Sequence, residues 1–425
     1  MNGLNVGLTG LLAFAALLAF ASSAPADALL AERSVAEWIS ARQALEAKDS
    51  WLLTPCLPAL AIRILDLVAM RLHMPAPLLA GAGAMAAVAM VWSAAFGAAG
   101  YRALATLLLA GIVCLNPIAL YAASGDVTLA FVILGASIAG LGVFRLHQGE
   151  AMPGTLLASG GMLVLSLSGA LGMTAFAAML LPLGVVVSAQ ARPLTALAVV
   201  LFPSAATALA FGFLYWAYGP SLAFGMRALY GVHADTLATP WAAMFSAAPV
   251  LAFGIVFFGS AGVAPGALLI ASVGRLRAGP AMLAGGFLAA GVAAAFASTL
   301  LGVAGNGAAA FALGAGLSGG AILLLGPPRP GAAVVLLGLG AMGGLLTVNV
   351  VPDASLKRWM QALDVPLLEV SATASSEAEH PQLPGDPRVA VLLSGAPLPE
   401  EWPRQAAPRG WGGRADYLRA QGITP

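Results

Sequence analysis

The feature that most constrains this chain is a series of apolar stretches separated by short turns. A transmembrane helix needs about 20 consecutive, mainly apolar residues. Eleven segments satisfy that requirement: residues 4–22, 77–98, 101–122, 127–146, 154–171, 173–190, 194–217, 241–273, 280–302, 306–326 and 331–350. The pattern predicts an all-α polytopic membrane protein with about eleven transmembrane helices.

Composition excludes a large soluble core. Of the 425 residues, 60% are hydrophobic and only 9% are charged, whereas soluble domains carry roughly 25% charged residues. The net charge of +1 implies no nucleic-acid partner and no strong attraction to acidic surfaces. Membrane lipids are expected partners because the chain is so apolar. Two cysteines, Cys56 and Cys114, suggest neither a disulfide framework nor a Cys-based metal site.

Basic residues predict the orientation of the chain in the membrane. If the N-terminus is cytoplasmic, alternate loops carry six arginines: Arg102, Arg145, Arg192, Arg275, Arg277 and Arg329. Cytoplasmic loops are enriched in Lys and Arg. We therefore predict a bacterial inner-membrane protein whose long first loop, residues 23–76, and C-terminal tail, residues 351–425, face the periplasm. Residues 1–350 then form the transmembrane domain.

The first loop is predicted to hold two surface helices. Its first half has amphipathic spacing, with Leu29, Val35, Ile39 and Leu45 between charged residues. Its second half, Pro55–Met74, is apolar but interrupted by Arg63, Asp66 and Arg71, which favours an interfacial helix. The alternative is a second true span containing an Arg–Asp pair, which would invert the topology after it.

The N-terminal segment has a second interpretation, and the C-terminal tail has predicted elements of its own. The segment "GLLAFAALLAFASSAPADA" is also typical of a cleaved signal peptide, although no Lys or Arg precedes it. In the tail, "DVPLLEV" and "RVAVLLSG" suggest two short strands, and the Pro-, Gly- and Arg-rich end suggests a segment that wraps a surface. The tail is also a candidate site for a protein partner.

Three polar groups converge on the predicted periplasmic side. They are the acids Asp27, Glu32 and Glu37 of the first loop, Asp126 at the start of a span, and "YGVHADTLATPW" with His233 and Asp235. A carboxylate at a membrane boundary is costly to desolvate and is a functional hypothesis by default. Such acids suit a general base, and His233 with Asp235 suits a divalent metal.

Each group also has a purely structural interpretation. Glu32 and Glu37 suit the solvated face of an interfacial helix. Asp126 follows Ser-Gly and precedes an apolar run, which is a good N-cap signal. His233 and Asp235 suit an ordinary loop turn.

The order of these motifs resembles the GT-C membrane glycosyltransferases, in particular the branch of protein O-mannosyltransferases and lipid A aminoarabinose transferases. The likeness covers most of residues 1–350. It rests on one span leading into an acidic loop, on Asn116-Pro117, Tyr121 and Asp126 in the following helices, and on "GSAGVAPGALLIASVGRLRAG".

The resemblance implies roles for individual residues. "AERSVAE" looks like the family's acidic first-loop motif, which places Glu32 near the catalytic acid and Glu37 on the helix that follows. Asp126 matches the second acid, beside the sugar-phosphate. His233 falls near a loop histidine that some relatives use for a metal.

Three departures accompany the resemblance. The expected double acid is single, with Ala31 beside Glu32, and a later Lys or Pro-Pro-Leu element is reduced to "TPCLPAL". The basic residue often found between the fifth and sixth spans is absent from "LSLSGALGMT". Either Arg63, Arg71 or Arg227 holds the donor phosphate, or catalysis has been lost.

The resemblance thus implies transfer of a sugar from a polyprenyl-phosphate donor to an acceptor at the periplasmic face. Glu32 or Asp27 would be the general base, and Asp126 would orient the donor directly or through a divalent cation. Glu37 and Tyr121 would contact the substrate. The rival is a catalytically inactive scaffold or lipid-binding subunit. A transporter fits less well, because transport sites lie near the bilayer midplane.

Overall fold

A computed structural model describes residues 3–46, 56–98, 100–114, 116–218, 354–363 and 387–394, together with residues 283, 286, 289 and 290. No strand occurs in this part of the chain. The helices are α1 (Gly3–Ala21), α2 (Ala26–Leu29), α3 (Glu32–Glu46), α4 (Leu57–Leu72), α5 (Ala76–Ala98), α6 (Ala103–Cys114), α7 (Pro117–Ser124), α8 (Val127–His147), α9 (Ala151–Ser166), α10 (Gly169–Ser188), α11 (Pro193–Tyr218), α12 (Ala354–Ala362) and α13 (Pro387–Ser394).

Several of these helices are able to cross a membrane. Four are long and apolar enough within the described residues: Ala76–Ala98, Val127–His147, Leu171–Ser188 and Pro193–Phe213. Asn5–Ala21 and Ala151–Ser166 are apolar but shorter. Over the described residues, the predicted all-α class is therefore confirmed, and so is the presence of helices able to span a membrane. The four predicted spans between residues 241 and 350 fall outside the described residues, apart from four helical positions.

The predicted span 101–122 is divided between two helices. Helix α6 ends at Cys114 and α7 begins at Pro117, with the Asn116 side chain accepting a hydrogen bond from the Ile118 N–H at 3.0 Å. Proline has no N–H and biases the residue before it towards extended backbone. The Asn-Pro pair therefore ends one helix and caps the next.

The helices α8 and α9 form a tightly packed antiparallel pair. Gly142 faces Ala158, and Gly161 faces Ala139, so closely that a Cβ built on Gly161 would lie 2.2 Å from the Ala139 nitrogen. Glycine permits this approach because it has no side chain, and small residues at such contacts are typical of membrane helix pairs. The ion pair of Arg145 with Glu150 closes the turn between the two helices.

The helical bundle has two chemically different ends. Helix α1 runs antiparallel to α5. Thr9, early in α1, meets Ser93, late in α5, with hydroxyls 3.3 Å apart, and Gly10 next to it faces Met90, one turn earlier in α5. Short turns then connect α8 through α11, so Arg102, Arg145 and Arg192 share one end, which we call the arginine end. The opposite end, the Asp126 end, carries α2, α3, α12, α13, Asp126 and the turn at Leu167.

A buried ion pair joins the two longer helices of the first loop. Asp66 of α4 accepts hydrogen bonds from Arg42 Nε at 2.9 Å and from the Trp38 indole at 2.7 Å, both on α3. Arg42 also donates to the Leu392 carbonyl of α13 at 3.1 Å. Asp66 is only 1% exposed. The Asp66 carboxylate therefore joins α4 to α3, and Arg42 extends the connection to α13.

This ion pair changes the interpretation of α4. We expected Asp66 to interrupt an apolar face, but it lies on the side packed against α3, while Ile64, Leu67 and Val68 are exposed. Helix α4 has 16 residues and ends at His73 in a left-handed conformation, and it is not among the span-length helices found. These properties favour the interfacial prediction over a second full span.

The tail is helical where the structure describes it. The predicted strand "RVAVLLSG" is wrong, because Pro387–Ser394 is a helix. Pro387 suits the first turn of a helix, and the buried Val389 and Leu392 are three residues apart, which is helical spacing. The other predicted strand, residues 364–370, lies outside the described residues.

Candidate functional site

The centre of the candidate site is the junction between α7 and α8. The Tyr121 carbonyl accepts hydrogen bonds from the N–H groups of Gly125, at 2.7 Å, and Asp126, at 3.0 Å. Asp126 Oδ1 then accepts from the Leu129 N–H at 3.1 Å, which is the N-cap arrangement. The predicted capping role is thus present. Asp126 is also only 3% exposed, so its carboxylate is held beneath the surface at this end of the bundle.

The acidic first loop packs directly on that junction. The Ala31 N–H donates to the Gly125 carbonyl at 3.0 Å, and the Val127 N–H donates to Ser34 Oγ at 3.1 Å. Residues 93 positions apart in the chain are thereby fixed together. Gly125 suits this contact because a Cβ there would lie 2.9 Å from the Leu29 carbonyl.

The same contact brings predicted acids together. Glu37, on α3, accepts a 2.6 Å hydrogen bond from the hydroxyl of Thr128, in the first turn of α8. Glu32 follows Ala31 and Asp126 follows Gly125, so the backbones of these two acids flank one hydrogen bond. Asp27 belongs to α2 in the same segment. The side chains of Asp27 and Glu32 lie outside the described part of the structure.

A tryptophan from the tail covers the junction. The Trp359 indole, on α12, donates to Ser124 Oγ at 2.8 Å across 235 positions of sequence. Its ring packs edge-on against Tyr121, with centroids 5.6 Å apart, and near Phe20 at 6.1 Å. Such edge-to-face contacts are favourable beyond simple burial. Tyr121, predicted to contact substrate, is therefore itself buried, under Trp359.

Other predicted residues fall elsewhere or outside the described part. Arg63 is half-buried on α4, and Arg71 is exposed in its last turn. Arg227, His233 and Asp235 lie outside the described residues, so their predicted roles stay predictions.

The predicted metal ligands, His233 and Asp235, lie outside the described residues, so the metal site stays a prediction. Within the described residues no group of three His, Cys, Asp or Glu side chains could hold a metal ion. Glu37 and Asp126 supply oxygen atoms, which suit Mg²⁺ or Mn²⁺, but two carboxylates do not make such a group. No chemical step is therefore assigned to a metal.

Sequence reasoning missed the groups that build this junction. Ser34, Ser124 and Thr128 are small hydroxyl residues whose spacing gives no signal, since their partners are remote in sequence. Trp359 had a detectable signal, because "ASLKRWMQAL" places Trp359, Met360 and Leu363 at helical spacing and all three pack on the core. That pattern predicts an amphipathic helix that docks through its apolar face.

Chemically, the junction combines a buried carboxylate, a half-buried carboxylate and several hydroxyl groups. Such a set can accept protons and orient hydroxyl groups of a bound molecule.

Comparison of the chain with family models, with curated proteins and with solved structures gave no match.

Proposed function

We propose that the chain is a GT-C-like membrane glycosyltransferase. It transfers a sugar from a polyprenyl-phosphate donor to an acceptor at the periplasmic face of the bacterial inner membrane. In this proposal about eleven spans form the membrane domain, and the Asp126 end faces the periplasm. The observation that carries the proposal is the docking of the acidic loop on the Asp126 junction through the Ala31–Gly125 hydrogen bond.

The proposed reaction is an inverting displacement at the anomeric carbon of the sugar. The carboxylate of Glu32 or Asp27 accepts the proton of the acceptor hydroxyl as its oxygen attacks that carbon. The bond between the anomeric carbon and the phosphate oxygen breaks, and polyprenyl phosphate leaves with its electron pair. Asp126 and Glu37 orient hydroxyl groups of the sugar, since a carboxylate accepts strong charge-assisted hydrogen bonds.

Carboxylate substitutions test the enzymatic proposal. Loss of a general base typically costs roughly 10²–10⁴-fold in rate, because an amide cannot take up the proton. We expect Glu32→Gln to reduce transfer by this factor if Glu32 is the base, and Asp27→Asn to do so if Asp27 is. The measurement is transfer from a radiolabelled polyprenyl-phosphate sugar pool in membranes, with expression and thermal melting followed for each variant.

The matched control is Glu150→Gln, at the arginine end, which should transfer at the wild-type rate. Wild-type rates in Glu32→Gln, Asp27→Asn and the double variant would remove both residues from catalysis. A wild-type protein that transfers no sugar from any polyprenyl donor would overturn the enzymatic proposal.

One observation favours a second candidate, a catalytically inactive membrane scaffold. Asp126 caps α8 and is buried, and Trp359 of the tail covers the adjoining Ser124. These contacts use the junction to bind the protein's own tail. A scaffold predicts no transfer by the wild type and loss of partner binding when α12 is undocked.

A further inference from the structure

Helix α4 has both of its ends at the Asp126 end of the bundle. At its start, the Leu57 N–H donates to the Leu167 carbonyl, in the turn between α9 and α10, at 2.8 Å. After its last residue, a short turn leads to Ala76, where α5 begins in the same buried cluster as Val127. A helix of 16 residues is about 24 Å long. Because neither end reaches the arginine end, α4 runs across one end of the bundle and does not span it.

The two sides of α4 differ in exposure, and the exposed side is apolar. The buried side carries Pro58, Ile62, Asp66 and Ala69. The opposite side exposes four large apolar residues: Ile64, Leu67, Val68 and Leu72. Leu67 is 60% exposed, whereas Ile62 is 0% exposed. A contiguous apolar patch is unfavourable in water and marks a surface that contacts a membrane or another protein.

One cation lies in the middle of this apolar side. Arg71 is exposed, and it follows Ile64 by seven residues and Leu67 by four, so it shares their side of the helix. The one acid of α4, Asp66, is buried on the opposite side. An arginine can lay its methylene groups along apolar surface while its guanidinium reaches a phosphate. The exposed side therefore complements a bilayer surface that carries negative charge.

We propose that the exposed side of α4 binds the surface of an anionic phospholipid bilayer. Ile64, Leu67 and Val68 enter the boundary between headgroups and acyl chains, and Arg71 donates hydrogen bonds to a lipid phosphate. Three observations favour lipid as the occupant. Helix α4 stays at one end of the bundle, it leads directly into the span-length helix α5, and its exposed side is apolar and basic. A helix with these properties lies in the plane of the interface. The inference does not depend on sugar transfer.

The first measurement determines the depth of this side in the bilayer. Full-length protein without Cys56 and Cys114 carries one environment-sensitive fluorophore on Leu67→Cys, in phosphatidylcholine vesicles that contain phosphatidylglycerol. A nitroxide attached near the lipid headgroup quenches shallow fluorophores, and one near the end of the acyl chain quenches deep ones. We expect the shallow nitroxide to quench Leu67→Cys more strongly. The control Leu11→Cys lies exposed in the middle of the apolar helix α1, so the deep nitroxide should quench it more strongly.

The second measurement tests the contact of Arg71 with phosphate. The shallow nitroxide is carried either by phosphatidylglycerol or by phosphatidylcholine, and the ratio of quenching at Leu67→Cys reports local enrichment of the anionic lipid. One basic residue at an anionic surface gives roughly fivefold enrichment, which corresponds to about 1 kcal/mol. We expect this enrichment with Arg71 in place and its loss in Arg71→Gln. Arg192→Gln removes the same charge from an exposed turn at the arginine end and should keep the enrichment.

Four results would overturn the proposal. Weak quenching by every nitroxide lipid would mean that protein or water covers this side of α4, and the emission wavelength distinguishes the two. Stronger quenching by the deep nitroxide would place α4 in the hydrocarbon core. Equal quenching by the two lipids with Arg71 in place would remove the phosphate contact. Equal losses in Arg71→Gln and Arg192→Gln would reduce the effect to net charge. Melting temperatures check folding, and Ile64→Cys repeats each measurement on the same side.

Discussion

The backbone N–H of Ala31 donates to the carbonyl of Gly125 at 3.0 Å, and the residue after each partner is an acid. Glu32 begins α3, and Asp126 caps α8. A loop acid and a membrane-boundary acid are therefore held at one place by backbone geometry. The contact does not depend on the charge of either side chain, so the two acids can be changed without removing it.

Substitution of Asp126 should separate its capping role from its charge. Asn also accepts a hydrogen bond at an N-cap, so Asp126→Asn should change stability by less than about 1 kcal/mol, whereas Asp126→Ala should cost about 0.5–2 kcal/mol. Thermal melting of the purified variants in detergent measures both. In the transfer assay the enzyme proposal requires Asp126→Asn to lose activity while it stays folded. Equal stability of the Asn and Ala variants would contradict the capping role.

Local sequence patterns predicted the parts of the fold that depend on local chemistry. The apolar run 127–146 appears as α8, and Ser-Gly-Asp before it forms the predicted N-cap. The amphipathic spacing of the first loop appears as α3, with Val35 and Ile39 buried. In these cases the pattern itself determines the structure, because periodicity and capping act within a few residues.

Contacts between remote segments were not predictable from one sequence. Arg63, Asp66 and Arg71 looked alike as interruptions of an apolar helix, yet Asp66 is buried against Arg42 and Trp38 while Arg71 is exposed. Nothing local distinguishes them, since the partner is 24 positions away. The strand predicted in the tail was wrong for a related reason. "RVAVLLSG" has an apolar run short enough for either a strand or a helix, and packing on the first loop decides between them.

The ion pair of Arg42 and Asp66 should be worth more as a pair than either residue alone. Removal of one partner leaves a buried charge without compensation, which typically costs about 3–5 kcal/mol. We expect Asp66→Leu and Arg42→Met each to lower the melting temperature strongly. The double variant should be more stable than the sum of the two losses predicts, and a double-mutant cycle measures the coupling. Additive losses would show that the pair does not act as a unit.

Adjacent glycines of α9 provide a matched test of helix packing. A Cβ on Gly161 would lie 2.2 Å from the Ala139 nitrogen of α8, whereas one on Gly160 would have no atom within 4 Å. Gly161→Ala should therefore force α8 and α9 apart and lower stability. Gly160→Ala should be neutral or stabilising by up to about 1 kcal/mol, because alanine has the higher helix propensity. Thermal melting compares the two, and equal effects would contradict the close approach of these helices.

The orientation of the chain can be tested at three exposed positions. Ser23 follows α1 at the Asp126 end, Ser394 ends α13 at the same end, and Gln148 lies in the turn at the arginine end. In a background without Cys56 and Cys114, a membrane-impermeant maleimide applied to intact spheroplasts should label Ser23→Cys and Ser394→Cys. Gln148→Cys should react only after permeabilisation, because arginine-bearing turns stay in the cytoplasm. Labelling of Gln148→Cys alone would reverse the topology and move the acids to the cytoplasm, where a periplasmic transferase cannot use them. Labelling of all three from one side would contradict the separation of the two ends by the membrane.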